Sequence, residues 1–132
     1  MSEQSNGKKN NVISFDGLVL CNERAPRVQV HVWAEVLEGC LKISGQDFGE
    51  APMEAFGENE YEYFYTFDRE NTERLFALLT SEGQDVKTVL VERFSGMDGC
   101  ADLRDFCEAN GIAYDFFSCQ TRGGFTCYWS TY

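Results

Sequence analysis

The sequence predicts an α+β domain in which an antiparallel sheet of five to six strands carries two or three helices packed on one face. Strand-like alternation dominates the first half, helix-like periodicity fills residues 68–110, and strand-like segments return at the C-terminus. The 132 residues, 43% of them hydrophobic, suffice for one packed core and are too few for two. We therefore expect residues 1–10 to form a flexible polar tail and residues 11–132 to form a single domain.

The first strands are predicted in residues 12–43. Asp16-Gly17 lies between two apolar runs, which fits either a tight turn or one kinked strand. From residue 28 to residue 36, apolar side chains alternate strictly with Gln29, His31, Trp33 and Glu35, as in a half-buried strand. A turn at residues 37–39 and a returning strand through residues 41–43 complete a hairpin.

An acidic segment follows. Residues 43–68 contain seven acidic residues, and no Lys or Arg occurs between Lys42 and Arg69. Glycines and Pro52 interrupt regular patterns, so residues 45–59 are predicted to form a long acidic loop. Residues 60–67 then alternate as a strand, with Tyr61, Tyr63 and Tyr65 on one face. The pattern leaves open whether this tyrosine face is core or interface.

The helical half is predicted from caps and periodicity. Asp68 is expected to cap a helix with a buried stripe of Thr72, Leu75, Phe76 and Leu79 and an end at Gly83. Residues 86–94 show helical spacing, although their Val and Thr content leaves a strand possible. A third helix is expected from Asp98 to the Asn110-Gly111 stop. Residues 112–119 and 125–130 read as strands joined by a loop at 120–124.

Composition excludes several classes of function. The formal net charge of −11 disfavours direct nucleic-acid binding, because the chain repels phosphate backbones. No apolar run approaches the roughly 20 residues that cross a bilayer, and the N-terminal residues do not resemble a secretory signal. We therefore expect a cytoplasmic protein without a membrane partner.

The six cysteines do not have the spacing of a metal site. The chain contains no Cys-x-x-Cys pair, and its one histidine is His31. We expect reduced, mostly buried cysteines and neither a metal nor another cofactor. A facing pair of Cys119 and Cys127 across a hairpin stays open.

Two catalytic interpretations are weaker than their structural alternatives. A cysteine nucleophile would need His31 as its base, but a histidine beside Trp33 on a strand is more often a packed or surface residue. Glu60 and Glu62 are same-face neighbours, which resembles an acid/base pair but equally suits solvated charges on a strand. A thiol- or carboxylate-dependent hydrolase therefore remains an alternative, as does a housekeeping adaptor subunit.

Acidic residues interleaved with aromatic residues favour the capture of a basic protein, because carboxylates steer the encounter and aromatic side chains anchor it. We expect no catalytic residues and a partner-binding site in the acidic segment. From charge and predicted loop placement, its contact residues are Asp47, Phe48, Glu50, Glu54, Glu58, Glu60 and Glu62.

A family resemblance points the same way. Gly45-Gln46-Asp47-Phe48-Gly49, Glu54-Ala55-Phe56-Gly57 and the strand at 60–67 resemble small bacterial immunity proteins of polymorphic toxin systems, including contact-dependent growth inhibition. The resemblance covers roughly residues 40–80. It implies a non-enzymatic antidote that binds one cognate toxin, and the acidity of this chain favours a basic toxin such as a nuclease.

Overall fold

The computed structural model describes residues 13–57, 59–121 and 125–131. The predicted α+β class is confirmed, with an antiparallel six-stranded sheet in the order β1-β2-β3-β4-β5-β6. The predicted tail at residues 1–10 lies outside the described residues, as do Glu58 and residues 122–124 of the predicted loop.

Ten elements follow one another along the described part of the chain. The strands are β1 (Phe15–Ala25), β2 (Val28–Leu37), β3 (Cys40–Gly49), β4 (Glu60–Thr66), β5 (Asp115–Thr121) and β6 (Phe125–Thr131). The helices are α1 (Glu50–Phe56), α2 (Arg69–Leu79), α3 (Val86–Phe94) and α4 (Gly99–Asn110). Among the described residues, no helix is long and apolar enough to span a membrane.

The N-terminal strands match the predicted pattern. Asp16-Gly17 makes no hairpin turn, because β1 is one strand whose register against β2 shifts twice. Gly17 has a φ of 69°, which accounts for a local irregularity of this kind. The predicted β2–β3 hairpin is confirmed, and Glu38 and Gly39 form its two-residue turn with φ values of 55° and 81°.

The prediction of a loop over residues 45–59 is wrong. β3 continues through Gly49, and α1 then fills most of the remaining segment, so the described chain has four helices rather than two or three. Gly45 lies inside the sheet because the Tyr63 ring occupies the space above it. Pro52 is tolerated because it falls in the first turn of α1, and Gly57 ends that helix in the left-handed conformation.

The three longer helices begin where the sequence predicts. Asp68 accepts a hydrogen bond from the Asn71 backbone N–H at 2.8 Å, and Asp85 caps α3 in the same way. Residues 86–94 are therefore helical. Helix α2 ends at Leu79 rather than Gly83, because Thr80 leaves the helical conformation and its hydroxyl donates to the Phe76 carbonyl. Asp98 precedes α4 without a side-chain cap bond.

The C-terminal hairpin also forms. β5 begins at Asp115 rather than at residue 112, and the register of β5 and β6 places Cys119 opposite Cys127. Cys119 and Cys127 thus lie opposite each other in the backbone register, which is one of the possibilities that the sequence allows.

The core lies between the sheet and helices α2, α3 and α4. Inward residues of these helices and one face of the sheet form a hydrophobic cluster that includes Ile43, Tyr65 and Leu90. Tyr65 is 4% exposed, and Tyr63 packs against the same cluster. Tyr63 and Tyr65 therefore belong to the core side of the sheet, which we call the covered face.

Candidate functional site

The opposite side of the sheet, which we call the open face, carries both aromatic and acidic side chains. Strand alternation and register assign its central residues. These residues are His31, Trp33, Gln46, Phe48, Glu60, Glu62, Phe64 and Phe117. None of these eight residues belongs to the hydrophobic cluster beneath the helices. Each is half-buried, so the side chains pack on one another and keep an accessible outer surface.

An aromatic row crosses the open face. The register aligns Trp33 with Ser44, Ser44 with Phe64, and Phe64 with Phe117. Ser44 is buried beneath its larger neighbours, and the ring centroids of Phe64 and Phe117 lie 6.0 Å apart. The row therefore places three aromatic side chains across strands β2 to β5, with Ser44 between Trp33 and Phe64.

A polar row runs beside the aromatic one. The register aligns His31 with Gln46 and Gln46 with Glu62. Gln46 Nε2 donates to Glu62 Oε2 at 3.1 Å, which orients that carboxylate. A hydrogen bond with the adjacent Glu62 carboxyl raises the pKa of Glu60 above its ordinary value, as does partial burial. The two carboxyl groups therefore lie side by side on β4.

Besides the Phe64–Phe117 pair, the open face holds a contact between a cation and a ring and a second contact between two rings. The Nζ atom of Lys42 lies 4.9 Å from the centroid of the Phe64 ring. The rings of His31 and Trp33 pack with centroids 4.9 Å apart. His31 is thus a packed neighbour of Trp33, as its structural interpretation predicts.

Three of the contact residues predicted from the sequence lie together on this face. Phe48 is opposite Glu60 in the register, and Glu62 follows on the same strand. Asp47 lies on the covered face, where the Tyr63 hydroxyl donates to its Oδ1 at 3.1 Å. Burial raises the pKa of Asp47, and the hydrogen bond from Tyr63 opposes that shift. Asp47 does not share a surface with the Glu60–Glu62 pair.

The remaining predicted contact residues lie on or near α1. Glu50 and Glu54 both pair with Arg27, the first at 3.5 Å between Nε and Oε1. Their charges are therefore partly neutralised within the chain. Glu58 lies outside the described residues. The acidic segment thus divides into the open face, the covered face and α1 instead of forming one loop.

The described residues form two depressions at the α1 end. One of about 290 Å³ lies between the β1–β2 turn and Phe48, and one of about 380 Å³ lies beside Met53 and Asn59. Neither includes Glu60 or Glu62. The carboxylate pair therefore lies outside both concavities, on the sheet surface.

Among the described residues, Cys40 and Cys119 share the open face with His31, and the structure places neither of them near it. Cys119 is three strands away in the same row, about 14 Å at the usual strand spacing. Cys40 is six residues along β3 from the partner of His31, about 20 Å away. Cys21 is buried opposite Val32, on the covered face. His31 is thus too far from Cys119 and Cys40, and on the wrong face for Cys21, to act as the base that thiol catalysis requires.

Sequence reasoning did not select Trp33, Lys42, Phe64 or Phe117 as parts of the site. The alternation of residues 60–67 already placed Phe64 with Glu60 and Glu62, but the charge pattern drew attention to the acidic residues alone. Assigning Phe117 and Lys42 to the site requires knowing which strands are neighbours in the sheet, and alternation along the sequence does not contain that information.

The described residues contain no cluster of three or more histidine, cysteine or acidic side chains arranged to hold a metal ion. No protein-family model matches the chain, and neither curated proteins nor solved structures yield a match.

Proposed function

We propose that this chain is a non-enzymatic binding protein that captures a basic protein partner on the open face. The observation that carries the proposal is the interleaving of the Glu60–Glu62 pair with the aromatic row, on the side of the sheet away from the core cluster. Carboxylates pair with lysine or arginine, and half-buried rings supply apolar contact area for a partner.

The shape and charge of the surface support a macromolecular partner. The aromatic row extends from β2 to β5, about 14 Å across the sheet, and the polar row beside it extends from β2 to β4. The net charge of −11 attracts a basic partner over a longer range than any single pair. A charged and aromatic sheet surface whose carboxylate pair lies outside both depressions suits another protein better than it suits a small substrate.

The resemblance of residues 40–80 to immunity proteins narrows this proposal. On that basis, the partner is a cognate toxin with a basic surface, most simply a nuclease whose active site is built to hold phosphates. An antidote of this type blocks the toxin by occupying its surface and needs no catalytic residue of its own. The chain and toxin would meet in the cytoplasm.

Co-expression tests this function directly. The chain is produced together with the product of the neighbouring gene, and growth, complex formation and association rate are measured at low and high salt. We expect a stoichiometric complex, rescue of growth, and association at least about tenfold slower at high salt, because screening weakens electrostatic steering. A partner that is harmless alone, or association that is indifferent to salt, would contradict the proposal.

A pair of matched variants locates the site. The double variant Glu60→Gln/Glu62→Gln removes two negative charges from the open face. Glu73→Gln/Glu108→Gln removes the same number from exposed positions on α2 and α4. We expect the first variant to weaken the complex by tenfold or more, as about 1.4 kcal/mol of lost pairing would do, and the second to change it little. Equal effects would show that net charge, and not this surface, carries binding.

A further inference from the structure

Phe64 lies at the centre of the open face and already contacts a cation of the same chain. Lys42 lies on β3, and its Nζ atom is 4.9 Å from the centroid of the Phe64 ring. The register pairs Lys42 with Thr66 and not with Phe64, so the lysine leans diagonally along the sheet to reach the ring. A ring face that holds an ammonium group has the electrostatic character to hold another cation.

The carboxylates lie within reach of a cation on that ring. Glu62 is two residues from Phe64 on the same strand face, about 7 Å along the strand. Gln46 orients the Glu62 carboxylate by a hydrogen bond, and Glu60 lies two residues before Glu62 on the same face of β4. The ring and an oriented carboxylate pair therefore form adjoining halves of one surface.

The geometry favours a guanidinium group over an ammonium group. A guanidinium is planar, stacks on an aromatic ring, and can direct several N–H groups from its edge to carboxylates. An ammonium is a compact point charge that cannot stack in this way. Lys42 itself reaches the ring from the side away from Glu62, since it lies opposite Thr66.

We propose that Phe64, Glu62 and Glu60 form a receptor for an arginine side chain of the basic partner, and that Lys42 is the internal cation this arginine displaces. The inference rests on the proposed function, because it names the partner group that the open face takes. The arginine must break the Lys42–Phe64 contact before it can stack on the ring, so Lys42 weakens binding. An arginine compensates for this loss because it both stacks on Phe64 and pairs with the carboxylates, whereas a lysine only replaces one ammonium group with another.

The chain offers a matched control for Lys42. Lys87 on α3 lies 6.0 Å from the Phe15 ring, remote from the Glu60–Glu62 pair in sequence and on a different element. Lys42→Met and Lys87→Met change the net charge equally, so both alter long-range attraction to a similar extent. Only the first removes a cation from the proposed receptor.

Two peptide probes test the receptor on the folded chain. One alternates arginine with glycine, and the other is identical except that lysine replaces each arginine. Dissociation constants are measured at one low salt concentration, and backbone amide NMR shifts locate each peptide. We expect both peptides to perturb the open face, and the arginine peptide to bind more tightly. Lys42→Met should bind the arginine peptide about twofold to fivefold more tightly than Lys87→Met does.

A ring substitution completes the test. Phe64→Leu keeps an apolar side chain and removes the ring, so we expect the preference for arginine over lysine to disappear. Equal binding of both peptides by the unmodified chain, or equal effects of the two lysine substitutions, would overturn the receptor and leave the open face as a general acidic surface. Shifts confined to the helices would overturn the proposed function as well. Thermal unfolding verifies that each variant is folded. If Phe64→Leu does not fold, the comparison of Lys42→Met with Lys87→Met decides whether the receptor exists.

Discussion

The two faces of β4 differ in what packs above them, although both carry aromatic side chains. Tyr63 and Tyr65 lie on the covered face and pack into or against the core, while Glu62 and Phe64 alternate with them on the open face. Both sets are rich in aromatic rings, so composition does not separate them. The difference is the layer above each face, because helices α2, α3 and α4 cover the tyrosines and leave Phe64 outside the cluster.

This comparison shows what an aromatic side chain contributes in each setting. The hydroxyl of Tyr63 reaches Asp47 on the covered face, so a polar end is satisfied inside the fold. Phe64 has no polar end and instead holds Lys42 against its ring. Substitutions on the covered face should therefore change stability, whereas those on the open face should change binding.

The largest expected effect comes from crowding the covered face. In Gly45→Ala, the new Cβ would overlap the ring of Tyr63. The ring must move, which disturbs its packing and its hydrogen bond to Asp47, and we expect a loss of about 1–3 kcal/mol in the free energy of unfolding. Denaturant unfolding measures it. Gln46→Ala, the next residue on the open face, should cost less than half as much, and equal costs would break the distinction between the faces.

Much of this architecture follows from the sequence because local rules and packing agree there. The alternation of residues 28–36 buries its apolar side chains from Val30 onward and half-buries Val28, and the stripe of α2 buries all four expected residues. The Asp68 and Asp85 caps also form, because an aspartate before a helix can satisfy a free backbone N–H. These features depend on near neighbours in the chain.

The acidic segment shows where local rules fail. The sequence predicts Gly45 to be a turn residue, but Gly45 lies inside the sheet, where the ring of Tyr63 on β4 leaves no room for a side chain. Glu50 and Glu54 read as free acidic loop residues, yet they lie on α1 and pair with Arg27. Each depends on a partner 18 or more residues away, and charge patterning along the chain contains no information on that partner.

A smaller effect tests the covered face through its half-buried carboxyl group. Burial raises the pKa of Asp47, so the Asp47 carboxyl group binds its proton more tightly in the folded chain than in the unfolded chain. The ionised group therefore lowers stability at neutral pH, and this penalty fades as the pH falls through the raised pKa towards the ordinary value. Asp47→Asn should be more stable than the unmodified chain at pH 7, because the amide oxygen still accepts from Tyr63.

Thermal unfolding between pH 7 and pH 4 measures this prediction, and the advantage of Asp47→Asn should shrink as the pH falls. Partner binding should stay unchanged, since Asp47 lies away from the Glu60–Glu62 pair. A weaker complex with unaltered stability would instead return Asp47 to the binding site, as the charge pattern of the acidic segment predicts.

The smallest effect concerns the acidic residues that belong to neither face. Arg27 pairs with Glu50 and Glu54 through side chains that are all at least half exposed, and such pairs contribute little to stability. Arg27→Met should leave the melting temperature nearly unchanged.

The same substitution frees two carboxylates on α1, so partner affinity tells whether binding uses the open face alone or also α1. If binding uses the open face alone, Arg27→Met and the charge-matched Lys87→Met should agree within about twofold, since exposed ion pairs are weak. A clear gain for Arg27→Met alone would extend the binding surface from β4 onto α1.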